Sequence, residues 1–389
     1  MDRGKPAELR NRQLPSEIAD GIGGAGLFSD GKFSFYPSAS ALWALQPAEM
    51  VRDAYNWTSK LIAPYGIEAP PFPYLGGAGR DLDSDITGFR SKEYPSFRMD
   101  LHKRLDIVRA LKQPIAKVLV GARVAGLSRR ENGHLEVSFS IDGESSVSPP
   151  EIIEAKAAVI ATGRLGAIHL LRWLDIPKTF RRVELGVRIE QPQESFFLRD
   201  ASGLDPKLIA LEADGIEWRT FCCCRGGEIV EVLSDGILGV AGRSDGSPTN
   251  RSNAAFHVRI LDANVADVSS WIPRIENRGR HFTLHLDTIA GEGPLKEALV
   301  ETFGNEIAMH LLVGLAKLVE HFDISGPLSI SGPSIEGVGY YPTVDSSLKI
   351  PGYPIWLPGD VAGLFRGLTA ALVSGHFAGL QCAEYLCAS

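Results

Sequence analysis

The chain has 389 residues, enough for two or three domains, and its 44% hydrophobic and 22% charged residues are typical of a globular protein. A net charge of −7 gives no global electrostatic reason to expect binding to nucleic acid or to an anionic membrane. The longest apolar run is too short to span a bilayer, and the first residues are too polar for a signal peptide. The five cysteines, three of them consecutive, do not resemble a disulfide framework, so we expect a cytoplasmic protein.

The first 165 residues predict short helices followed by a run of strands. Apolar residues at helical spacing predict helices over 42–62 and 101–111, and residues 63–81 form a loop rich in proline and glycine. Residues 115–139 alternate apolar and polar positions between turn signals, which indicates successive strands with a hairpin turn at 131–133. An apolar run then predicts a buried strand over 157–161.

Residues from about 165 to 335 predict a second region that mixes strands with helix. Strands are predicted over 184–192 and 281–289, and one long helical stretch over 294–322. The chain then ends with a short strand, a Gly-Asp turn at 359–360 and a helix rich in small residues.

Three glycines near the start, Gly21, Gly23 and Gly26, match the G-x-G-x-x-G pattern of a dinucleotide-binding loop. Such a loop follows a strand and opens a helix, so that the helix N-terminus faces the pyrophosphate. Here the preceding residues are polar and include a proline, and the following residues alternate as a loop entering a strand. We therefore expect these glycines to allow close approach of backbone to a ligand or another backbone. An enzyme using NAD(P) alone at this segment is the alternative.

Two further segments place polar groups at the ends of strands. Thr162 and Gly163 follow the predicted strand 157–161, at the end of a strand where α/β sheets bind ligands. Gly359 and Asp360 follow another strand, and a helix is predicted to begin near Gly367, where its N-terminus favours negative charge. The alternatives are plain turns, with Asp360 as a cap or a solvated loop residue.

These segments together resemble a flavoprotein family. "VIATG" followed by "GDVAGLFRGLTAALVSG" is similar to the second and last FAD-binding segments of glutathione-reductase-like flavoproteins. "GGAGLFSDGK", "RTFCCCRGGEIV", "NAAFHV" and "GVGYYPTVDSSL" narrow the resemblance to the uncharacterised FAD-dependent dehydrogenase family, over nearly the whole chain. The substrate of that family is not settled.

The resemblance implies an α/β fold with FAD as cofactor. It implies a discontinuous Rossmann-type FAD/NAD(P)-binding domain at 1–40, 95–165 and 335–389, with a helical and loop insertion at 41–94. Residues 166–334 then form an inserted α+β domain that carries the substrate pocket. Asp2 is expected at the adenosine ribose, Asp360 at the flavin ribityl chain, and Arg366 near the flavin ring. The cofactor-binding residues implied are Asp2, Gly23, Gly24, Gly26, Ser29, Asp30, Gly31, Thr162, Gly163, Gly359, Asp360, Arg366, Gly367 and Leu368.

The sequence departs from the family pattern at its start. Members begin with a strand, a true G-x-G-x-x-G loop and a helix, whereas this sequence begins at "MDRGKPAELRNR", near the end of the second strand. We expect either that the natural gene begins upstream of Met1 or that the Rossmann-type domain is incomplete at its N-terminus. In the second case we expect FAD to bind weakly or not at all, because the phosphate-binding helix is missing.

The function implied is FAD-dependent oxidoreduction of an unidentified small molecule, with position and electrostatics supplied by the protein. The alternative is a non-catalytic remnant of the flavoprotein fold that acts as a binding module. No residue is identified as a general acid or base, and the histidines, including His281 and His285, suggest no metal site. Cys222 and Cys224 are expected on one face of a strand, either as small apolar residues or in a redox role beside flavin.

Overall fold

A computed structural model describes residues 1–73, 85, 86, 88–142, 149–211, 215–265, 270–279, 281–289 and 291–388. Its helices are α1 (Pro15–Ile18), α2 (Gly24–Leu27), α3 (Ala48–Ile62), α4 (Leu101–Lys112), α5 (Gly163–Trp173), α6 (Trp271–Arg278), α7 (Pro294–Phe303), α8 (Asn305–His321) and α9 (Leu368–Ala388). Its strands are β1 (Lys32–Ser34), β2 (Asp85–Ile86), β3 (Phe89–Lys92), β4 (Ser96–Arg98), β5 (Ala122–Arg129), β6 (Leu135–Ile141), β7 (Glu151–Ala155), β8 (Ala158–Val159), β9 (Lys178–Pro192), β10 (Lys207–Leu211), β11 (Ile216–Cys224), β12 (Glu228–Ser234), β13 (Ile237–Arg243), β14 (Arg251–Ile260), β15 (Phe282–Thr288), β16 (Ser325–Pro342) and β17 (Ile355–Trp356).

The largest sheet has eight strands in the order β15-β16-β9-β14-β11-β10-β3-β2, and its neighbouring strands pair antiparallel. Along the central strand β9, Val183, Leu185 and Val187 alternate with charged or small residues and pair with apolar residues of β14. Because successive side chains in a strand point to opposite faces, one face of this sheet is apolar.

Helices α7 and α8 contribute to the same hydrophobic core as this apolar face. A Cβ atom at Gly314 of α8 would lie 2.3 Å from Cδ1 of Trp218, so the glycine lets the helix lie directly on that ring. The indole nitrogen of Trp218 donates a 2.8 Å hydrogen bond to the carbonyl of His310. The prediction of one helical stretch over 294–322 is wrong, because Gly304, at φ 84°, ends α7 and precedes α8.

The opposite face of the sheet carries charged residues although it is buried. Cross-strand pairing places Glu217, Arg259 and Glu184 in one row across β11, β14 and β9. The next row on this face contains Arg219 and His257. Buried charge is costly unless it is paired, so this face must be satisfied by ion pairs or by ligands.

The segments before and after this sheet in sequence build further hydrophobic cores. Strands β8 and β17 pair in parallel, β5, β6 and β7 form an antiparallel sheet, and α9 packs against α3. Phe35, Trp43 and Tyr55 meet edge to face in the core that α3 shares with α9. The described chain therefore combines α and β elements in one fold, as expected, whereas the glutathione-reductase-like subtype stays a prediction.

Several predicted elements are confirmed, and two more need correction. Helices over 42–62 and 101–111 are found as α3 and α4, although α3 begins only at Ala48 and a 3₁₀ helix over Ser40–Ala44 precedes it. The hairpin at 131–133 joins β5 to β6. Residues 115–121 are not a strand. The strand predicted over 157–161 is short, and it is not buried because Val159 is 41% exposed on the wall of a cavity. Residues 74–81 of the predicted loop lie outside the described residues.

The predicted domain boundaries stay a prediction. Strand β3, from the predicted insertion 41–94, pairs with β10 of the large sheet, and β16 continues to Pro342. No described helix has the length and apolar character needed to cross a bilayer.

The contact of α8 with Trp218 gives a test of this packing. We expect Gly314→Ala to lower the free energy of unfolding by about 1–3 kcal/mol, because the added methyl group overpacks the indole ring. The matched variant is Gly375→Ala in α9, where no atom lies within 4 Å of the added Cβ. The free energy of unfolding of Gly375→Ala should rise by about 0.5–1 kcal/mol, because alanine has a higher helix propensity than glycine. Chemical unfolding of both variants measures this, and equal shifts would contradict the packing described.

Candidate functional site

A cavity of about 1520 Å³ opens between the charged face of the large sheet and the elements around β8 and the start of α9. It brings together segments that are far apart in the sequence. The predicted cofactor residues that line it are Asp2, Gly23, Gly24, Gly26, Ser29, Asp30, Thr162, Gly163, Arg366, Gly367 and Leu368. The three others, Gly31, Gly359 and Asp360, are not among its lining residues.

Two glycines of the N-terminal loop, Gly26 and Gly24, differ in what surrounds their Cβ positions. At Gly26 a Cβ atom would lie 2.4 Å from Cδ2 of Leu368, so this glycine lets the loop pack against the start of α9. At Gly24 the Cβ position is empty to 4 Å, and the residue lines the cavity. The segment lines the cavity, with a close contact to the Leu368 side chain at Gly26 and open space at Gly24, and its role in binding a cofactor stays a prediction.

Two helices begin at the cavity wall. Helix α5 starts at Gly163 and α9 starts immediately after Gly367, and both glycines have positive φ, 70° and 105°. No atom lies within 4 Å of either Cβ position, so both backbones are open to the cavity. The first N–H groups of a helix lack intrahelical partners and carry positive partial charge. The two helix starts therefore favour an anionic group in the cavity.

Asp360 does not line the cavity but forms ion pairs with two arginines. One of its carboxylate oxygens is 3.2 Å from Nε of Arg164, and the other is 3.8 Å from a guanidinium nitrogen of Arg182. Asp2 lines the cavity, and one of its carboxylate oxygens accepts a 2.8 Å hydrogen bond from the amide of Gly4. The ribityl role of Asp360 and the ribose role of Asp2 both stay predictions.

Glu184 is a buried carboxylate that the sequence analysis missed. It binds two arginines that line the cavity, Arg259 and Arg366. The Glu184 side chain is fully buried, and Oε2 accepts hydrogen bonds of 3.0 and 2.8 Å from the guanidinium of Arg259. Oε1 accepts a 3.0 Å hydrogen bond from Arg366, and Arg182 lies 3.2 Å from Oε2. Burial alone would raise the pKa of Glu184, but the guanidiniums of Arg366, Arg259 and Arg219 outweigh it and hold that pKa well below its usual value.

Lys207 is the second residue that the sequence analysis missed. Its Nζ lines the cavity between the rings of Tyr94 and Phe221, 5.3 and 5.5 Å from their centroids. Among the described residues, it donates no hydrogen bond. Burial, reinforced by the neighbouring charge of Arg219, lowers the pKa of Lys207 well below its usual value. An amine with a lowered pKa can hold or release a proton near neutral pH.

Glu184 left a signal in the sequence. In "VELGVRIE" the apolar residues stand at every second position, so Glu184 and Arg188 share the other face of the strand. That pattern is ordinarily read as a face exposed to solvent. Burial of this face depends on contacts with distant segments, which the local pattern does not contain.

Comparison with known proteins gives no family assignment. The sequence matches no protein-family model, and no curated protein is significantly similar to it. Among solved structures, the Diels-Alderase PyrE3 of pyrroindomycin biosynthesis is 12% identical with a TM-score of 0.38, over 99% of this chain and 60% of that one. Aklavinone-11 hydroxylase, in a ternary complex with FAD and aklavinone, is 12% identical with a TM-score of 0.34, over 86% and 54%.

A flavoprotein/dehydrogenase from Cytophaga hutchinsonii is 12% identical with a TM-score of 0.29, over 78% of this chain and 58% of that one. This chain therefore spans little more than half the length of these proteins. Superpositions this loose carry no argument about function, so the proposal below depends on the cavity itself.

The burial of Glu184 predicts a large, pH-dependent loss of stability when its charge is removed. Glu184→Gln should cost about 3–5 kcal/mol near neutral pH, because several guanidiniums lose their buried partner. Since its folded pKa lies below the unfolded value, the carboxylate stabilises the fold above about pH 4.5. The difference from wild type should shrink as pH falls below that value.

Thermal unfolding from pH 7 to pH 3 measures this difference. The control is Asp200→Asn, which alters an ion pair at the surface with Arg199 and should leave the midpoint unchanged. A constant difference between Glu184→Gln and wild type over this pH range would contradict the ion pairing described.

Removing the charge of Lys207 should have the opposite effect and stabilise the protein near neutral pH. Its folded pKa is depressed, so it costs stability below the unfolded value of about 10.5. Lys207→Met should therefore raise the unfolding midpoint near pH 7, and the gain should diminish as the pH approaches 10. Lys60→Met, at an exposed position on α3, is the matched control and should change little. A lower midpoint for Lys207→Met would show that the lysine is well paired.

Proposed function

We propose that this protein binds FAD in the 1520 Å³ cavity and acts as an FAD-dependent oxidoreductase on an acidic small molecule. The observation that carries the proposal is the meeting of three sequence-distant segments at one cavity. These are the N-terminal glycine loop, the start of α5 and the start of α9. In the sequence these segments resemble FAD-binding segments.

The residues present fit a dinucleotide. The cavity exceeds the range of about 300–1,000 Å³ that is usual for a drug-sized ligand, which leaves room for a cofactor and a substrate together. The open backbones at Gly163 and Gly367 allow close approach of a ligand to two helix N-termini. Val159 and Ile160 add an apolar wall from the β8 segment, which suits an aromatic ring system.

When bound, FAD supplies the ability to accept a hydride or electrons from a substrate. The chain supplies charge and position around it. The start of α9 provides positive partial charge, which stabilises negative charge on a bound group. Arg219, Arg259 and Arg366 line the cavity and favour a carboxylate on the substrate. Lys207 lines the same wall and is the residue placed to take or return a proton.

The proposal is tested by the absorption spectrum of the purified protein and by titration with FAD. We expect saturable binding, measured by the quenching of flavin fluorescence. Gly163→Asn places a side chain at the cavity wall and should weaken binding about tenfold or more, equivalent to about 1.4 kcal/mol. Asparagine is chosen because it tolerates the left-handed backbone at this position, φ 70°.

The matched control is Gly352→Asn. Gly352 also has positive φ, 79°, and no atom within 4 Å of its Cβ position, but it does not line the cavity. It should bind FAD as the wild type does. Equal weakening by both variants, or no saturable binding by the wild type, would overturn the proposed site. Tight FAD binding with no reduction by any acidic donor would instead favour the non-catalytic binding module.

A further inference from the structure

We infer that Cys222 and Cys224 form a redox-active dithiol that opens onto the cavity and is oxidised to an intrachain disulfide by small disulfide molecules. The inference does not require FAD, because the exchange takes place between sulfur atoms alone. It goes beyond the proposed flavin chemistry, to which neither cysteine was assigned.

The backbone at the end of β11 draws the two thiols together. Side chains two residues apart in a regular strand are separated by about 6.6 Å. Here the two Sγ atoms are 3.8 Å apart, because the register with β14 is irregular between Phe221 and Cys224. Cys222 itself has φ 50°, a left-handed conformation that is strained for a residue other than glycine.

The middle cysteine is placed differently. Cys223 is 1% exposed and belongs to the hydrophobic core of the large sheet. Its amide donates a 2.9 Å hydrogen bond to Asp205. The expectation that Cys222 and Cys224 share one side while Cys223 occupies the other is therefore confirmed. The apolar interpretation fits Cys223, whereas the other two thiols are surrounded by charge.

Two cations and one carboxylate surround the thiol pair. A guanidinium nitrogen of Arg188 lies 3.7 Å from Sγ of Cys224 and donates a 2.7 Å hydrogen bond to the carbonyl of Cys222. Lys32 pairs with Asp30 at 2.7 Å, and Oδ2 of Asp30 accepts a 3.4 Å hydrogen bond from the Cys222 thiol. The Cys222 thiol, with Arg188 and Lys32, lowers the pKa of Cys224 to about 7, so a thiolate is available near neutral pH.

The two sulfur atoms differ in their exposure to the cavity, and this gives them different roles. Cys222 is half-buried and lines the cavity, whereas Cys224 is fully buried behind it. An incoming disulfide therefore meets Cys222 first. The Cys222 thiol passes its proton to the Cys224 thiolate, 3.8 Å away, and the Cys222 sulfur attacks one sulfur of that molecule. The small thiolate that it expels takes the proton from Cys224.

The Cys224 thiolate, free of its proton again, then attacks the Cys222 sulfur and expels the second small thiolate. One protein disulfide forms and one small disulfide is reduced, so two electrons leave the protein. A small dithiol reverses the reaction.

A metal ion is the competing interpretation of the same residues. Asp30, Cys222 and Cys224 place ligand atoms within 4.8 Å of one another. However, Asp30 is already paired with Lys32, and the Arg188 guanidinium contacts Cys224. A divalent cation would be repelled by both positive charges, so the surroundings favour thiolate chemistry over metal binding.

The test counts free thiols in the folded wild-type protein after equilibration with oxidised glutathione. We expect the count, measured after denaturation, to fall from five per chain to three and to return to five with dithiothreitol. Cys223→Ser should still lose two thiols, whereas Cys222→Ser and Cys224→Ser should lose none to an intrachain disulfide. Peptide mass spectrometry of the segment 220–225 identifies the bond.

Several outcomes would overturn the inference. One is five free thiols in the wild type after oxidation; another is loss of the disulfide in Cys223→Ser, which indicates a bond between adjacent cysteines. A third is one tightly held zinc per chain that protects the thiols from oxidised glutathione. Because the wild-type measurement and Cys223→Ser decide between these outcomes, the inference stays testable even if Cys224→Ser fails to fold.

Discussion

One buried carboxylate holds together the two sides of the cavity. Glu184 projects from the central strand of the large sheet and binds Arg259 of the same sheet together with Arg366 of the segment before α9. A guanidinium group on each side is paired with this anion, and buried charges are costly unless they are paired. The positions of Arg259 and Arg366 on the cavity wall, and hence the charge that a ligand meets, depend on this interaction.

The two faces of the large sheet are used in different ways. Its apolar face packs against α7 and α8 with van der Waals and hydrophobic contacts, which stabilise the fold without selecting a ligand. Its other face keeps charged groups in a site of low solvent access, where electrostatic interactions are stronger than in water. Lys207 shows the consequence, because burial beside Arg219 lowers its pKa well below the usual value, so its charged form costs the fold stability.

Local patterns predicted the elements well but not their surroundings. The spacing of apolar residues was sufficient for α3, α4 and the hairpin between β5 and β6, because these elements depend on neighbours in sequence. The glycine loop and the starts of α5 and α9 were placed at one site by family resemblance. Glu184 and Lys207 could not be found in this way, because their burial is created by segments more than a hundred residues away. Gly304 was likewise passed over, although its positive φ of 84° separates α7 from α8.

The alternation along β9, β11 and β14 has a consequence for how such a protein can change. Residues that line the cavity and residues that form the core occupy alternate positions of the same strands. A substitution at Phe221 alters the cavity while leaving Trp218 and its contact with α8 untouched. The same scaffold can therefore diverge toward new ligands by single substitutions, with little loss of the packing that makes it fold.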